Sequence, residues 1–428
     1  MEEAEEPDHT VFTEDMLDYT ILLPTMLPMH FKIMAGIFTT FGYKAELLEN
    51  TSPSVIEYGL KYVHNDTCYP AMLMIGQMIE AIESGKYDKH KIALMMTQTG
   101  GGCRASNYIF LLRKALKKAG YGYIPVISLN VAGLEKDSAF KLSAPMIERL
   151  LVAVTCGDLL MSLVNQVKPY EKTVGAAEAL ANRWVDTLTN EMSRPGYFAY
   201  GKVKNFYRAI LDDFAAVPVN DIKKVRVGIV GEIFVKFSPL GNNELERFLV
   251  SEGAEVVMPG LLDFCMFAVY TTVNDWKLLG MKKKKGRIFA FVLWMLKILQ
   301  NDLIKAVEKQ GRFRAPVPFG KVEKLSEGLI HHGAKMGEGW LLTAEMAELI
   351  EEGVTNIVCA QPFGCLPNHI AGKGMMKPVK EKYPEANIVA VDYDAGATRI
   401  NQENRIKLML SNALEAMERD NEHKKQTV

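Results

Sequence analysis

The spacing of apolar residues changes along this chain of 428 residues, and the changes mark out its elements. In the first third, short apolar runs alternate with stretches of helical spacing. Tyr19–Leu23, Lys44–Leu48, Lys91–Gln98 and Ile124–Leu129 read as strands. Leu27–Phe41, Ser54–Val63 and Tyr69–Ser84 read as helices, and Pro70 suits the first turn of the last one. Ser106 is in place to cap a further helix that ends in Lys117, Lys118 and Gly120. Those basic residues suit the negative end of a helix dipole, and the glycine suits its stop. Strand and helix in turn at this spacing predict a parallel sheet covered on both faces.

From Ser143 to about Phe214 the helical period is unbroken, which predicts a helical insertion. A second α/β lobe begins near Lys223. Val225–Val235, Ala254–Met258, Asn356–Ala360 and Asn387–Asp392 read as its strands. Its helices read as Asn243–Ser251, Leu261 to about Gly280, Phe289–Gln310, Thr343–Glu352 and Gln402–Arg419. Within this set Ile288–Leu299 is strongly apolar but too short to span a bilayer, so it reads as a buried helix. The polar end, Asp420–Val428, is expected to fray. The resulting organisation is an N-terminal lobe (1–140), a helical insertion (141–220) and a C-terminal lobe (221–428).

The length favours two or three domains over one core. A hydrophobic share of 48% and a charged share of 24% are those of an ordinary soluble globular protein. A net charge of -1 gives no global attraction to nucleic acid or an acidic membrane, so neither is expected as a partner. Lys282–Lys285 is one local basic run and reads as a solvated loop. The acidic start, Met1–His9, has no apolar run behind it, and no run of about 20 apolar residues occurs. These features predict a cytoplasmic protein. Most of the 23 methionines read as core filling.

The candidate chemistry lies in the six cysteines, none of them in a C-x-x-C pair. Cys103 ends Thr97-Gln98-Thr99-Gly100-Gly101-Gly102-Cys103, after a strand and before a helix. Ligands of open parallel sheets bind beyond the carboxyl ends of the strands. Glycines such as Gly101 and Gly102 let the backbone approach a bulky group, and a helix start favours a thiolate. Cys68 lies among polar residues just before a helix. Cys365, next to Gly364, follows a strand and precedes a helix. Cys359 lies inside that strand, where it could equally face the core. Cys156 and Cys265 fall in apolar helical runs and read as core. Cysteines drawn from Cys68, Cys103, Cys359 and Cys365 predict an iron–sulfur cluster. Zinc would accept the same thiolates with His369, but it more often uses close cysteine pairs.

Glu338 and His369 are the leading candidates for proton transfer, with Asp66, Asp392 and Asp394 behind them. Gly333, Gly337 and Gly339 surround Lys335 and Glu338 in a flexible loop suited at most weakly to phosphate. His331 and His332 lack metal-ligand spacing.

The stretches Asn65–Pro70, Gln98–Asn107, Gly353–Gly374 and Val391–Lys407 resemble the 2-hydroxyacyl-CoA dehydratase D-component family. They are more similar still to the C-terminal region of large activase-related proteins of anaerobes. The most specific phrases are Gln361-Pro362-Phe363-Gly364-Cys365-Leu366-Pro367-Asn368-His369 and Gly337-Glu338-Gly339-Trp340. The resemblance implies two Rossmann- or flavodoxin-like lobes and a 4Fe-4S cluster held by three cysteines. It also implies one-electron reduction by an ATP-dependent iron–sulfur activase, a ketyl radical on an acyl-CoA substrate, and loss of a 2-hydroxyl group. Some relatives carry a double-cubane cluster and reduce small molecules instead. True dehydratases need a second related subunit, so a related subunit or a homo-oligomer is expected. No G-x-x-x-x-G-K-[ST] run occurs, so ATP use falls to a separate protein. An electron-transfer protein with a fully ligated cluster, including Cys359, and a zinc- or ligand-binding module are the competing readings.

Overall fold

The computed structural model of the chain describes residues 9–64, 66–98, 102–130, 138–194 and 200–426. The first sheet is built from β1 (Thr20–Leu23), β2 (Lys44–Leu47), β3 (Ile92–Gln98) and β4 (Val126–Asn130). Around them run α1 (Pro28–Thr40), α2 (Ser54–Tyr62), α3 (Tyr69–Glu83) and α4 (Tyr108–Ala119). Three long helices follow: α5 (Ala144–Val167), α6 (Ala176–Met192) and α7 (Gly201–Ala215). The second sheet holds β5 (Arg226–Gly231), β6 (Glu255–Val257), β7 (Asn356–Pro362) and β8 (Asn387–Tyr393). Between β5 and β6 lie α8 (Ile233–Phe237) and α9 (Leu245–Ser251), and between β6 and β7 lie α10 (Leu261–Leu279), α11 (Lys283–Gln310), α12 (Phe319–Leu325) and α13 (Trp340–Glu351). The chain closes with α14 (Leu366–Ala371), α15 (Met376–Lys382) and, after β8, α16 (Arg399–Gln426).

Both sheets are wholly parallel, and their strand orders repeat: β2-β1-β3-β4 and β6-β5-β7-β8. The α/β class expected from the pattern, with a helical insertion along the chain, and the two Rossmann/flavodoxin-like lobes implied by the resemblance are observed. The first strand of each sheet is central. The chain leaves it to one side for the second strand and returns across it to the third. Each sheet therefore has its switch point between its first and third strands, β1 beside β3 and β5 beside β7. The chain divides into two compact units, 1–151 with 186–198, and 152–185 with 199–428. Helices α5 and α6 each contribute to both.

The strands form because they can be buried on both faces. Six consecutive residues of β7, Ile357–Pro362, are buried, and the core beneath them joins Val230, Leu342, Met346, Ile357 and Ile388. Full burial of such side chains contributes about 1.5–3 kcal/mol each. Helix α13 is buried along nearly its whole length, from Trp340 to Ile350. Helix α5 is long and apolar enough to cross a membrane by composition alone, but 72% of its most apolar window is buried inside the protein.

Five local expectations are corrected. The run Val225–Val235 is a strand only to Gly231, after which Glu232 caps the short helix α8. Ser106 caps no helix; its hydroxyl donates to the Cys103 carbonyl at 2.7 Å. Asn107 stands at the N-cap of α4, which stops as expected at Gly120 in the left-handed region. Lys283–Lys285 form the first turn of α11, not a loop, and that helix is not buried throughout Ile288–Leu299. Helix α16 continues to Gln426, past the point where fraying was expected.

Candidate functional site

In the first unit the candidate cysteines lie on two loops that touch. Cys68 is the N-cap residue of α3, half-buried, with Pro70 in the first turn behind it. Its Sγ lies 3.2 Å from the hydroxyl of Tyr108, the buried first residue of α4. Cys103, also half-buried, caps the 3-10 turn Arg104–Asn107, and the Ala105 N–H donates to its sulfur at 3.5 Å. Arg104 donates to the Asp66 carbonyl at 2.7 Å, tying the Cys103 loop to the Cys68 loop. The Asp66 carboxylate is exposed. Gly102 is exposed beside Cys103, whereas Gly101 lies outside the described residues.

In the second unit the site forms at the switch point of the sheet. Past the carboxyl end of β7 the chain turns through Gly364, whose φ of 71° is open to glycine at little cost. Cys365 follows as the N-cap of α14. Its sulfur accepts from Asn368 Nδ2 at 3.4 Å. The same amide nitrogen donates to Glu338 Oε2 at 3.0 Å, so one fully buried asparagine joins the thiol to a carboxyl group. Glu338 Oε1 accepts from the Ile233 N–H at 3.0 Å. That N–H follows directly on Glu232, whose own Oε2 accepts from Val235 at 2.8 Å.

Glu232 and Glu338 are both buried. Burial, and next the charge of Glu338, push the Glu232 carboxyl up to about 8. Burial likewise raises Glu338, against the pull of its hydrogen bonds, and the charge of Glu345 adds to the rise. Glu345 itself pairs with buried Lys236 at 2.9 Å. Burial, with the charge of Glu338 beside Glu232, disfavours ionising both carboxyls of this pair at once.

The imidazole of His369 has other partners than this pair. Its Nδ1 donates to the Cys365 carbonyl at 2.8 Å, and its Nε2 lies 4.0 Å from Asp392 Oδ1. Asp392 also accepts from Gln361 at 2.6 Å and from Lys373 at 3.2 Å. Asp394 is exposed at the end of β8. Lys335 is ion-paired with Asp275, which gives the glycine-flanked loop a local use apart from phosphate. His332 bridges Tyr270 at 2.9 Å and Ser326 at 2.7 Å.

Cys359 parts from the other three expected ligands. It is fully buried in the core with Met346, Ile357 and Ala390, and burial pushes its thiol up to about 12. Burial does the same to Cys156 and Cys265, the two cysteines read as core. Cys68, Cys103 and Cys365 instead sit in loops at N-cap positions, each sulfur within hydrogen-bond distance of a polar group. Their donor chemistry fits iron–sulfur ligation. Among the described residues no three His, Cys, Asp or Glu side chains are gathered as a ready-made site for a single metal ion. A cubane differs from such a site in placing its thiolates on separate irons.

Sequence reasoning missed Glu232 and Asn368. The first hid inside an apolar run read as one strand. The second stood in plain view within Cys365-Leu366-Pro367-Asn368, where an asparagine three residues past a capping cysteine can reach back to its sulfur. No protein-family model and no curated protein matches the chain. Fold and residues together define a two-unit parallel α/β protein with a cysteine past the third strand of each sheet.

Proposed function

We propose that this chain is an iron–sulfur protein of the 2-hydroxyacyl-CoA dehydratase type, acting in the cytoplasm and reduced by a separate ATP-dependent activase. Cys68, Cys103 and Cys365 are its 4Fe-4S ligands. The observation that carries this reading is the repeated placement of a half-buried, hydrogen-bonded cysteine just past the third strand of each parallel sheet. When bound, such a cluster supplies low-potential one-electron transfer, and three protein thiolates leave one iron open to substrate.

The chain's own residues supply the proton. Loss of a hydroxyl group, or reduction of a small molecule, needs an acid that is still protonated at neutral pH. The Glu232–Glu338 pair meets that need, and Asn368 links Glu338 to the Cys365 sulfur. Glu338 is the general acid in this reading. His369 orients through the Cys365 carbonyl and serves second. A plain electron carrier would need no proton store and was expected to use Cys359 as a fourth ligand. The burial of Cys359 and the presence of the carboxyl pair favour the enzyme.

The test is the visible and electron paramagnetic resonance spectrum of the protein, reconstituted without oxygen and then reduced. The Cys359→Ser variant keeps the wild-type spectrum, whereas Cys365→Ser loses it. Equal loss in both supports a four-ligand electron carrier. A wild-type protein that takes up zinc and no iron removes the redox reading.

A further inference from the structure

The hairpin of α10 and α11 has an exposed apolar face. Helix α10 stops at Gly280, in the left-handed region at φ 66°, and the chain turns through Met281 and Lys282 into α11. The two helices approach closely at Gly286, where a Cβ would lie 2.5 Å from that of Trp276. The inner face of α11 is buried through Leu293, Leu296, Leu299 and Leu303. An amphipathic surface helix would be polar on its other face. Here that face carries Ile288, Phe291, Trp294, Met295 and Ile298, a second apolar stripe at helical spacing. The rings of Phe291 and Trp294 stack at 5.6 Å. Leu278, Leu279 and Met281 extend the patch at the hairpin tip, and its eight large side chains are 40% to 65% exposed.

The same segment is strongly basic. From Lys277 to Asn301 it holds seven Lys and Arg and no acidic residue, in a chain whose net charge is -1. Lys282–Lys285 and Arg287 are exposed, and none has an ion pair among the described residues. This charge decides the occupant. Pairing the hairpin with its counterpart in a second copy would bring like charges together. A nucleic acid would use the lysines but leave the aromatic and aliphatic stripe in water. An anionic bilayer takes both, with the apolar side chains at the level of the headgroups and the lysines on lipid phosphates.

We propose that the α10–α11 hairpin docks this protein on the surface of an anionic lipid membrane without crossing it. The reading is independent of the iron–sulfur assignment. It replaces the expectation of no membrane partner, which rested on a net charge that hides the local one.

The test uses the full chain and sedimentation with vesicles. Vesicles of phosphatidylcholine with phosphatidylglycerol retain the protein, and phosphatidylcholine alone does not. Added salt releases it. Binding shifts the tryptophan emission to the blue, and Trp294→Phe removes that shift. Each basic residue near the surface contributes about fivefold to binding, so Lys283→Gln with Lys284→Gln weakens it about 25-fold. Phe291→Ser with Trp294→Ser abolishes it while leaving the circular dichroism unchanged, because both residues are exposed. Equal binding to neutral vesicles, or none to anionic ones, overturns the proposal. So does a concentration-dependent dimer in analytical ultracentrifugation that the Phe291→Ser, Trp294→Ser variant dissolves.

Discussion

The two sheets have the same strand order and each places a cysteine past its third strand, but the surroundings of Cys103 and Cys365 differ in kind. Around the first sheet, the carboxyl shifts among the described residues run downward. Asp18, hydrogen-bonded by Lys91, and Glu83, hydrogen-bonded by Tyr121, are held below the usual carboxylate range. Around the second, burial pushes Glu232, Glu338, Asp263, Glu345 and Glu348 upward. One architecture thus provides thiols beside a backbone N–H and a tyrosine hydroxyl, and again a thiol joined through Asn368 to a buried carboxyl. A duplicated fold need not duplicate its chemistry, because side chains just past the strand ends set local charge while the strands set only position.

The comparison breaks most severely at the buried Lys236–Glu345 pair, which has no counterpart among the shifted carboxyls of the first unit. Replacing Lys236 by Ala leaves a carboxylate buried without its cation and destabilises the protein by about 3–5 kcal/mol. Urea unfolding at neutral pH measures it, and the loss shrinks in acid, where Glu345 is protonated. A loss at neutral pH no greater than that for Lys91→Ala would erase the contrast between the units.

Asn368→Ala comes next. It removes one donor from both Glu338 and Cys365, at a cost of about 1–2 kcal/mol. The cost stays modest because Asn368 Oδ1 already lacks a hydrogen-bond partner among the described residues. Thermal unfolding reads it.

The second unit also carries a pH dependence. Glu232 ionises near its ordinary 4.5 when unfolded and near 8 when folded, so the folded state binds the extra proton between these values. Stability therefore falls as pH rises through that window, with a slope approaching about 1.4 kcal/mol per pH unit for one proton. Glu232→Gln flattens this slope. If its unfolding free energy keeps the wild-type pH profile, the carboxyl pair holds no proton. Smallest is Gly364→Ala, which forces a side chain into the left-handed region and costs about 1 kcal/mol.

Much of this was legible in the sequence for a physical reason. Strands buried on both faces, such as β3 and β7, are continuous apolar runs, and the loops after them announce themselves through glycine and cysteine. Tertiary partners were not legible. Cys359 lies in the same apolar strand whether or not its thiol meets a metal, and only its packing with Met346 and Ala390 decides for the core. Glu232 and Glu338 are 106 residues apart in the chain and meet only because β5 and the loop before α13 converge. The outer stripe of α11 was read as buried because a helix apolar on both faces gives no periodic signal of which face is covered.

The central claim is that one thiol past the third strand of each sheet holds iron. The most direct measurement is iron and acid-labile sulfide per chain, after reconstitution without oxygen, for the wild type and for Cys103→Ser, Cys365→Ser and Cys359→Ser. The account predicts about four irons with matching sulfide in the wild type and in Cys359→Ser, and loss of most of both in the other two variants. Wild-type iron retained in Cys103→Ser or in Cys365→Ser, or a wild type that binds none, would contradict it.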